Sequence, residues 1–64
     1  MNAKIIGAKL VKLRGGRSQE LVANACGISV SALSMYEQGK RIPRDEIKVK
    51  LAEFYETSVQ AIFF

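Results

Sequence analysis

The segment QELVANACGISVSALSMYEQ, residues 19–38, decides how this chain folds. Apolar residues recur at helical spacing on both sides of Gly27, which predicts two short helices separated by a tight turn. Glycine adopts a positive φ without the steric penalty of a Cβ atom, so Gly27 suits a sharp change of direction. Ala23 is small enough to let the two helices cross closely, and Leu33 is placed to fill the angle between them.

A small residue, a turn glycine and a buried aliphatic residue at these offsets are what two helices crossing at roughly 90–120° require. This arrangement is the helix-turn-helix, whose second helix enters the DNA major groove in the proteins that use it. The alternative is an ordinary helical hairpin in a small bundle, because the spacing of Ala23 and Gly27 alone is weak support for DNA binding. The flanking sequence favours the first interpretation: Ser18-Gln19-Glu20 opens the first helix, Ser29-Val30-Ser31 opens the second, and Tyr36-Glu37-Gln38-Gly39-Lys40-Arg41 closes it.

The segments LRGGRSQELVA (13–23) and SALSMYEQGKRIPRDEIKVKLAEFY (31–55) resemble the Xre/lambda-repressor-like (Cro/C1-type) regulators of bacteria and phages. They are most similar to a short-loop branch from Firmicutes and their phages. The resemblance runs from about Ile6 to Phe64 and is most specific in the helix-turn-helix. It implies an all-α fold of five helices in a single domain, residues 1–64, with helices 2 and 3 forming the helix-turn-helix at about residues 18–38.

The first three helices are also predicted from apolar spacing and from residues that begin or end helices. Helix 1 is predicted over residues 3–14 because its apolar residues recur at i, i+4 and i+7; these are Ile6, Leu10 and Leu13. Helix 2 ends near Cys26. Helix 3 ends at Gly39, in the position after a helix where glycine is favoured.

Two further helices are predicted towards the C-terminal end. Pro43 presets the backbone for helix 4, and Asp45 and Glu46 suit the positive end of its dipole. The apolar face of helix 4 consists of Ile47, Leu51, Phe54 and Tyr55. Thr57 and Gln60 have the spacing of a capping box, which predicts a short helix 5.

The charge distribution is that expected of a nucleic-acid binder. Ten Lys and Arg residues against six Asp and Glu give a net charge of +4. The basic residues are concentrated before Glu20 and just after helix 3, which matches the electrostatic footprint of a protein that binds nucleic acid. For Lys4 and Lys9, a solvated helix face is an equally good explanation.

The resemblance assigns residues to a DNA interface by their positions in the motif. It implies that the start of helix 3 and the following turn face the bases, through Ser29, Val30, Ser31, Ser34 and Met35. It implies phosphate contacts from the start of helix 2 and from the segment beyond helix 3, through Arg17, Ser18, Gln19, Gln38, Lys40, Arg41 and Arg44. Val30 and Met35 depart from the commoner Gln or Arg, and we expect Val30 to contact a thymine methyl. Because serines discriminate weakly, we expect DNA shape and paired half-sites to contribute to recognition.

A third set of residues has a structural role by the same resemblance: Arg14, Ala23, Gly27, Leu33 and Glu37. The family pairs the arginine at the end of helix 1 with the glutamate at the end of helix 3, a carboxylate that would otherwise repel phosphates. Tyr36 is expected in the core. Cys26, the only cysteine, fits an apolar helix face; the alternative of a redox sensor lacks a basic neighbour in the sequence that would lower its pKa.

The sequence therefore predicts a sequence-specific, double-stranded DNA-binding regulator of transcription. We expect a repressor of phage or mobile-element type that acts as a homodimer and inserts helix 3 in the major groove. The alternative is an antitoxin, or a regulator whose main partner is another protein. Terminal aromatic residues, Phe63 and Phe64, keep this alternative open, although packing of Phe63 in the core explains that residue better.

Other classes of function are not expected. The chain has no histidine, no glycine-rich phosphate loop and no nucleophile beside a base, so no enzyme is predicted. The same lack of ligands argues against a metal, and neither a cofactor nor a small-molecule ligand is expected. No apolar run is long enough for a signal peptide or a membrane span, so we expect a cytoplasmic protein without a membrane partner.

Overall fold

The computed structural model describes residues 1–64 as five α-helices without strands. The helices are α1 (Ala3–Arg14), α2 (Gln19–Cys26), α3 (Val30–Glu37), α4 (Asp45–Phe54) and α5 (Val59–Phe63). This confirms the prediction of an all-α fold with five helices. None of the helices is both long enough and apolar enough to cross a membrane.

Polar side chains begin four of the five helices. The hydroxyl groups of Ser18, Ser29 and Ser58 each accept a hydrogen bond of 3.0 Å from the backbone N–H three residues later. The side chain of Asn2 accepts from two N–H groups at the start of α1, at 3.0 and 3.1 Å. These caps satisfy N–H groups that have no acceptor within their own helix, so each fixes locally where a helix starts.

The predicted start of α5 was wrong by one residue. Ser58, and not Thr57, is the N-cap, and its hydroxyl bonds the N–H of Ala61. Thr57 belongs to the turn that ends α4, where its own N–H donates to the carbonyl of Ala52 at 2.9 Å. Its backbone is therefore still engaged with the preceding helix. Thr57 and Gln60 consequently form no capping box.

Gly27 forms the turn between α2 and α3. Its φ of 68° and ψ of 31° lie in the left-handed region, and the next N–H, of Ile28, donates back to the carbonyl of Ala23 at 3.0 Å. Ala23 and Leu33 are completely buried on the inner side of this turn. Ala25 also fits the helical spacing of the apolar residues Val22 and Cys26, but it is exposed to solvent whereas those two are buried. The turn therefore combines a left-handed glycine with two buried apolar contacts, which together set the angle between α2 and α3.

One cluster of 12 buried residues, drawn from all five helices and the end of α4, forms the core. It consists of Ile6, Leu10, Val22, Ala23, Cys26, Leu33, Tyr36, Leu51, Ala52, Tyr55, Ile62 and Phe63. α1 crosses the end of α3 so closely that a Cβ atom on Gly7 would lie 2.5 Å from the backbone oxygen of Glu37. No spacing in the sequence singles out Gly7, yet this contact sets the position of α3 against α1.

Two lysines hold α5 against the rest of the fold. The ammonium of Lys9 donates to the carbonyl of Ala61 at 3.1 Å. Lys48 is buried, and its ammonium lies 5.9 and 5.6 Å from the ring centroids of Phe63 and Phe64, within the range of a cation–π interaction. Lys9 is thus neither a free surface cation nor a simple solvated residue, because it contacts the end of α5.

The hydroxyl of Tyr55 is buried without a hydrogen-bond partner. Burial, and secondarily the negative charge of Glu37, raise the pKa of Tyr55 to about 12. In the unfolded chain a tyrosine ionises near pH ~10. The neutral hydroxyl therefore contributes stability that is fully present below about pH 10 and is lost as the pH rises towards about 12.

We therefore expect Tyr55→Phe to unfold at a similar or slightly higher urea concentration than the parent protein at pH 7, because an unpartnered buried hydroxyl is removed. Between pH 10 and pH 12 the parent should lose about 2 kcal/mol more than the variant. Urea unfolding at a series of pH values measures both quantities. Gln60→Ala, which removes an exposed side chain that does not titrate, is the control and should keep the full alkaline loss. Equal losses in the parent and in Tyr55→Phe would contradict the prediction.

Candidate nucleic-acid interface

α3 presents a small, mildly polar surface to the outside of the molecule. Val30 and Met35 are 41% and 38% exposed, and Ser31 is exposed between them in sequence. Ser29, which caps the helix, is also exposed, and Ser34 is half-buried. All five predicted base-reading residues are therefore at least partly accessible, whereas the other side of α3 packs in the core.

Two serine hydroxyls on this surface already accept a hydrogen bond from within the protein. Ser29 Oγ accepts from the backbone N–H of Ala32 at 3.0 Å, and Ser34 Oγ accepts from Nε2 of Gln38 at 2.7 Å. A hydroxyl that already accepts one bond keeps its O–H free to donate. The surface of α3 therefore offers hydrogen-bond donors at Ser29 and Ser34.

An exposed basic segment, Lys40 to Arg44, follows α3 directly. Lys40, Arg41 and Arg44 are all exposed, and neither of the two ion pairs in the structure includes them. The backbone N–H of Lys40 donates to the carbonyl of Met35 at 3.0 Å, which ties the start of the segment to α3. Buried Pro43 anchors it further along. Arg41 and Arg44 line one pocket with Ser29 at the start of α3, and Lys40 lies at the other end of the helix, so three unpaired cations border α3.

Arg17 is held against the body of the protein instead. Its guanidinium donates to the carbonyls of Leu13 and Arg14 at 2.8 and 3.3 Å, at the end of α1. It also lies 5.1 and 5.3 Å from the ring centroids of Phe54 and Tyr55. Two of its three nitrogens are used within the fold, so Arg17 has less capacity to bind an external anion than the Lys40 to Arg44 segment.

The start of α2 carries unbonded donors. Ser18 is the cap, and its hydroxyl is occupied by the N–H of Leu21. The backbone N–H groups of Gln19 and Glu20 have no hydrogen-bond acceptor in the protein. They lie at the positive end of the helix dipole, where an anion is favoured, although the carboxylate of Glu20 in the same turn opposes this.

Glu37, at the end of α3, is a buried carboxylate with two side-chain partners. Its Oε2 accepts from Nε of Arg14 and its Oε1 accepts from Nε2 of Gln19, both at 2.8 Å, and only 3% of its side chain is exposed. The hydrogen bond from Arg14 to Glu37 raises the pKa of Arg14, so the arginine remains a cation. The pairing of Arg14 with Glu37 that the resemblance implied is present. The bond to Gln19, across 18 residues of sequence, was not foreseen.

Cys26 lies in the core. Its Sγ is 3.8 Å from the carbonyl oxygen of Lys50, and burial raises the pKa of the thiol. A raised pKa and burial both lower the fraction of accessible thiolate, which is the reactive form. The structure therefore places Cys26 as a packing residue.

A family model described as helix-turn-helix matches residues 8–62, which include α2, α3 and α4 completely. The chain belongs to the Cro/C1-type helix-turn-helix family. The family resemblance inferred from the sequence is thereby confirmed. A search of curated proteins finds no match to this sequence. As a Cro/C1-type protein, the chain is a DNA-binding regulator of transcription in general terms.

Proposed function

We propose that this Cro/C1-type protein represses transcription by binding specific double-stranded DNA sequences with α3 in the major groove. The observation that carries the proposal is the exposed, mildly polar surface of α3 together with three exposed, unpaired cations in the segment that follows it, Lys40, Arg41 and Arg44. An α-helix fits the width of the major groove, and cations beside it meet the phosphates that line the groove. Occupying a promoter is sufficient for repression and requires no further activity of the protein.

Base contacts come from the first two turns of α3 in this proposal. Val30, 41% exposed, reaches a thymine methyl, and Ser31 donates to or accepts from a base edge. The free O–H of Ser34 donates to an acceptor such as a purine N7 or a thymine O4. These contacts are few, so one domain discriminates weakly. A homodimer on two half-sites, about 34 Å apart centre to centre, multiplies the discrimination.

Phosphate contacts come from Lys40, Arg41 and Arg44, supported by Gln38 and by the unbonded N–H groups at the start of α2. They supply affinity and orientation, since each phosphate that a cation neutralises changes the slope of log K against log salt by about 0.9 on duplex DNA. They carry no direct sequence information. Ser18 contributes to this set as the cap that holds the start of α2.

DNA is a better candidate for the main partner than another protein. The terminal aromatic residues kept a protein partner open, but Phe63 is only 1% exposed and belongs to the core. Phe64 remains exposed, at 69%, and a single exposed aromatic side chain is ordinary on a protein surface.

The proposal is tested by Val30→Gln. Because Val30 is exposed at the first position of α3, the substitution should change stability little. A glutamine can form a bidentate contact with adenine, worth about 1–3 kcal/mol of discrimination, which valine cannot form. We expect the preferred base to change at one symmetric position in each half-site. Selection of binding sites from a random DNA pool, carried out with both proteins, measures this.

Arg41→Ala is the control in the same selection. It should weaken binding to all sequences about equally and leave the preferred site unchanged, because a phosphate contact reads no base. If Val30→Gln and the parent select the same site while both bind DNA, α3 does not read bases through Val30. If neither the parent nor Val30→Gln selects any site, the proposal of sequence-specific binding is wrong.

A further inference from the structure

The bond between Gln19 and Glu37 fixes the orientation of an amide at the surface that we propose to face DNA. An ionised carboxylate only accepts hydrogen bonds, so the atom of Gln19 that meets Glu37 must be the nitrogen. Arg14 occupies the other carboxylate oxygen at 2.8 Å, which leaves Oε1 for Gln19. One N–H of the Gln19 amide is therefore bound inside, and the second N–H has no partner in the protein.

Gln19 is also the first residue of α2, beside the two unbonded backbone N–H groups of Gln19 and Glu20. A long surface side chain normally samples several rotamers and loses that freedom when it binds. Holding Gln19 by a residue whose side chain is only 3% exposed removes much of that loss before binding. Arg14 compensates the charge of Glu37, so the residue that holds Gln19 does not present an unpaired carboxylate to DNA.

We propose that Glu37 is a positioning residue for DNA binding: it holds the Gln19 amide so that its free N–H meets a phosphate at the start of α2. This inference rests on the proposed function, because it assumes DNA at this surface. It assigns to Glu37 a second task beyond pairing with Arg14. The end of the helix that reads bases is thereby linked to a phosphate contact made by the preceding helix.

A double-mutant cycle in DNA affinity tests the assignment, with Gln19→Ala, Glu37→Gln and the double variant. At position 37 a glutamine keeps the size of the side chain. Its oxygen accepts from Arg14 and its NH₂ faces Gln19, so Gln19 can bond to it only by turning its amide over. This moves the outward N–H away from the position in which Glu37 holds it. Affinity for a random duplex is measured at one salt concentration, well below each variant's melting temperature. Gln60→Ala, at an exposed position on α5, is the matched control and should change nothing.

We expect Gln19→Ala to weaken binding roughly ten-fold, as for a lost hydrogen bond to a charged group. The salt slope should stay unchanged, because the amide carries no charge. In the parent background, Glu37→Gln should lower the affinity for DNA several-fold. In the Gln19→Ala background it should lower the affinity less than about two-fold, because the amide that Glu37 positions is already absent. Equal weakening in both backgrounds would show that Glu37 acts only on the fold and would overturn the proposal.

The outcomes also separate this inference from the proposed function. If Gln19→Ala binds like the parent while Arg41→Ala binds more weakly, the positioning role is wrong and DNA binding stands. If the parent binds no duplex at all, both are wrong.

If Glu37→Gln does not fold, NMR of the parent protein decides. On titration with a short duplex, the side-chain NH₂ signals of Gln19 should shift and those of Gln60 should not. Shifts of the α3 backbone amides without any shift of the Gln19 side chain would overturn the proposal.

Discussion

Replacing Glu37 with alanine is expected to lower the free energy of unfolding by about 3–5 kcal/mol, the range found when one partner of a buried ion pair is removed. The substitution leaves the Arg14 guanidinium, whose side chain is only 21% exposed, without its carboxylate, and it removes the acceptor of Gln19. A domain of this size has a total stability on the order of 3–10 kcal/mol. The loss is therefore a large part of the total stability, and the variant should unfold at a much lower urea concentration than the parent.

Urea unfolding followed by circular dichroism measures this loss. Glu53→Ala removes an exposed carboxylate that makes no ion pair or side-chain hydrogen bond, so it should change stability by less than about 0.5 kcal/mol. Glu37→Gln should lie between the two, because one bond to Arg14 survives. A loss below about 1 kcal/mol for Glu37→Ala would mean that the buried pair contributes little to this fold.

Gly7→Ala is expected to destabilise the protein by about 2–3 kcal/mol, although it adds only one methyl group to a helix. The added Cβ would lie 2.5 Å from the backbone oxygen of Glu37 and 2.8 Å from that of Tyr36. Backbone atoms cannot rotate away as a flexible side chain would, so α1 and α3 must separate. For a domain of this size each kcal/mol corresponds to about 4–8 °C in melting temperature, so the variant should melt at least ~8 °C lower.

Gly16→Ala is the matched control for Gly7→Ala. Nothing lies within 4 Å of a Cβ atom at Gly16, and its φ is not in the left-handed region. The control should therefore melt at the same temperature as the parent or slightly higher, because alanine restricts the unfolded chain. If Gly7→Ala and Gly16→Ala melt together, the helices are further apart at Gly7 than described.

Glu37→Ala and Gly7→Ala both act at the junction between α1 and the C-terminal end of α3. This junction fixes the position of α3, and with it the exposed face that carries Val30, Ser31 and Met35. In the mode of binding that we propose, a residue such as Gly7, which is buried and has no side chain to offer DNA, affects affinity through the placement of α3. We expect the loss of affinity in Gly7→Ala to exceed what its unfolded fraction alone explains.

The sequence by itself determined the helices, because their signals act over a few residues. The caps Ser18 and Ser29, the apolar spacing of α1 and the acidic residues at the start of α4 place four helix starts correctly, and a glycine able to adopt a φ of 68° places the α2–α3 turn. At α5 the neighbouring Thr57 and Ser58 offer similar capping groups, and the choice depended on where α4 ends. The family could also be recognised, since its motif is contiguous in sequence.

Only the tertiary structure decided which partners the functional side chains have. Gln19 and Arg17 both fit a phosphate contact by position, yet one donates to Glu37 and the other to the end of α1. The closeness of Gly7 to Glu37 likewise leaves no periodic signal in the sequence. These contacts join residues far apart in the chain, and they depend on helix crossing angles that the core as a whole sets. Local propensity therefore predicts each helix, whereas the packing of the helices decides which polar groups remain free for DNA.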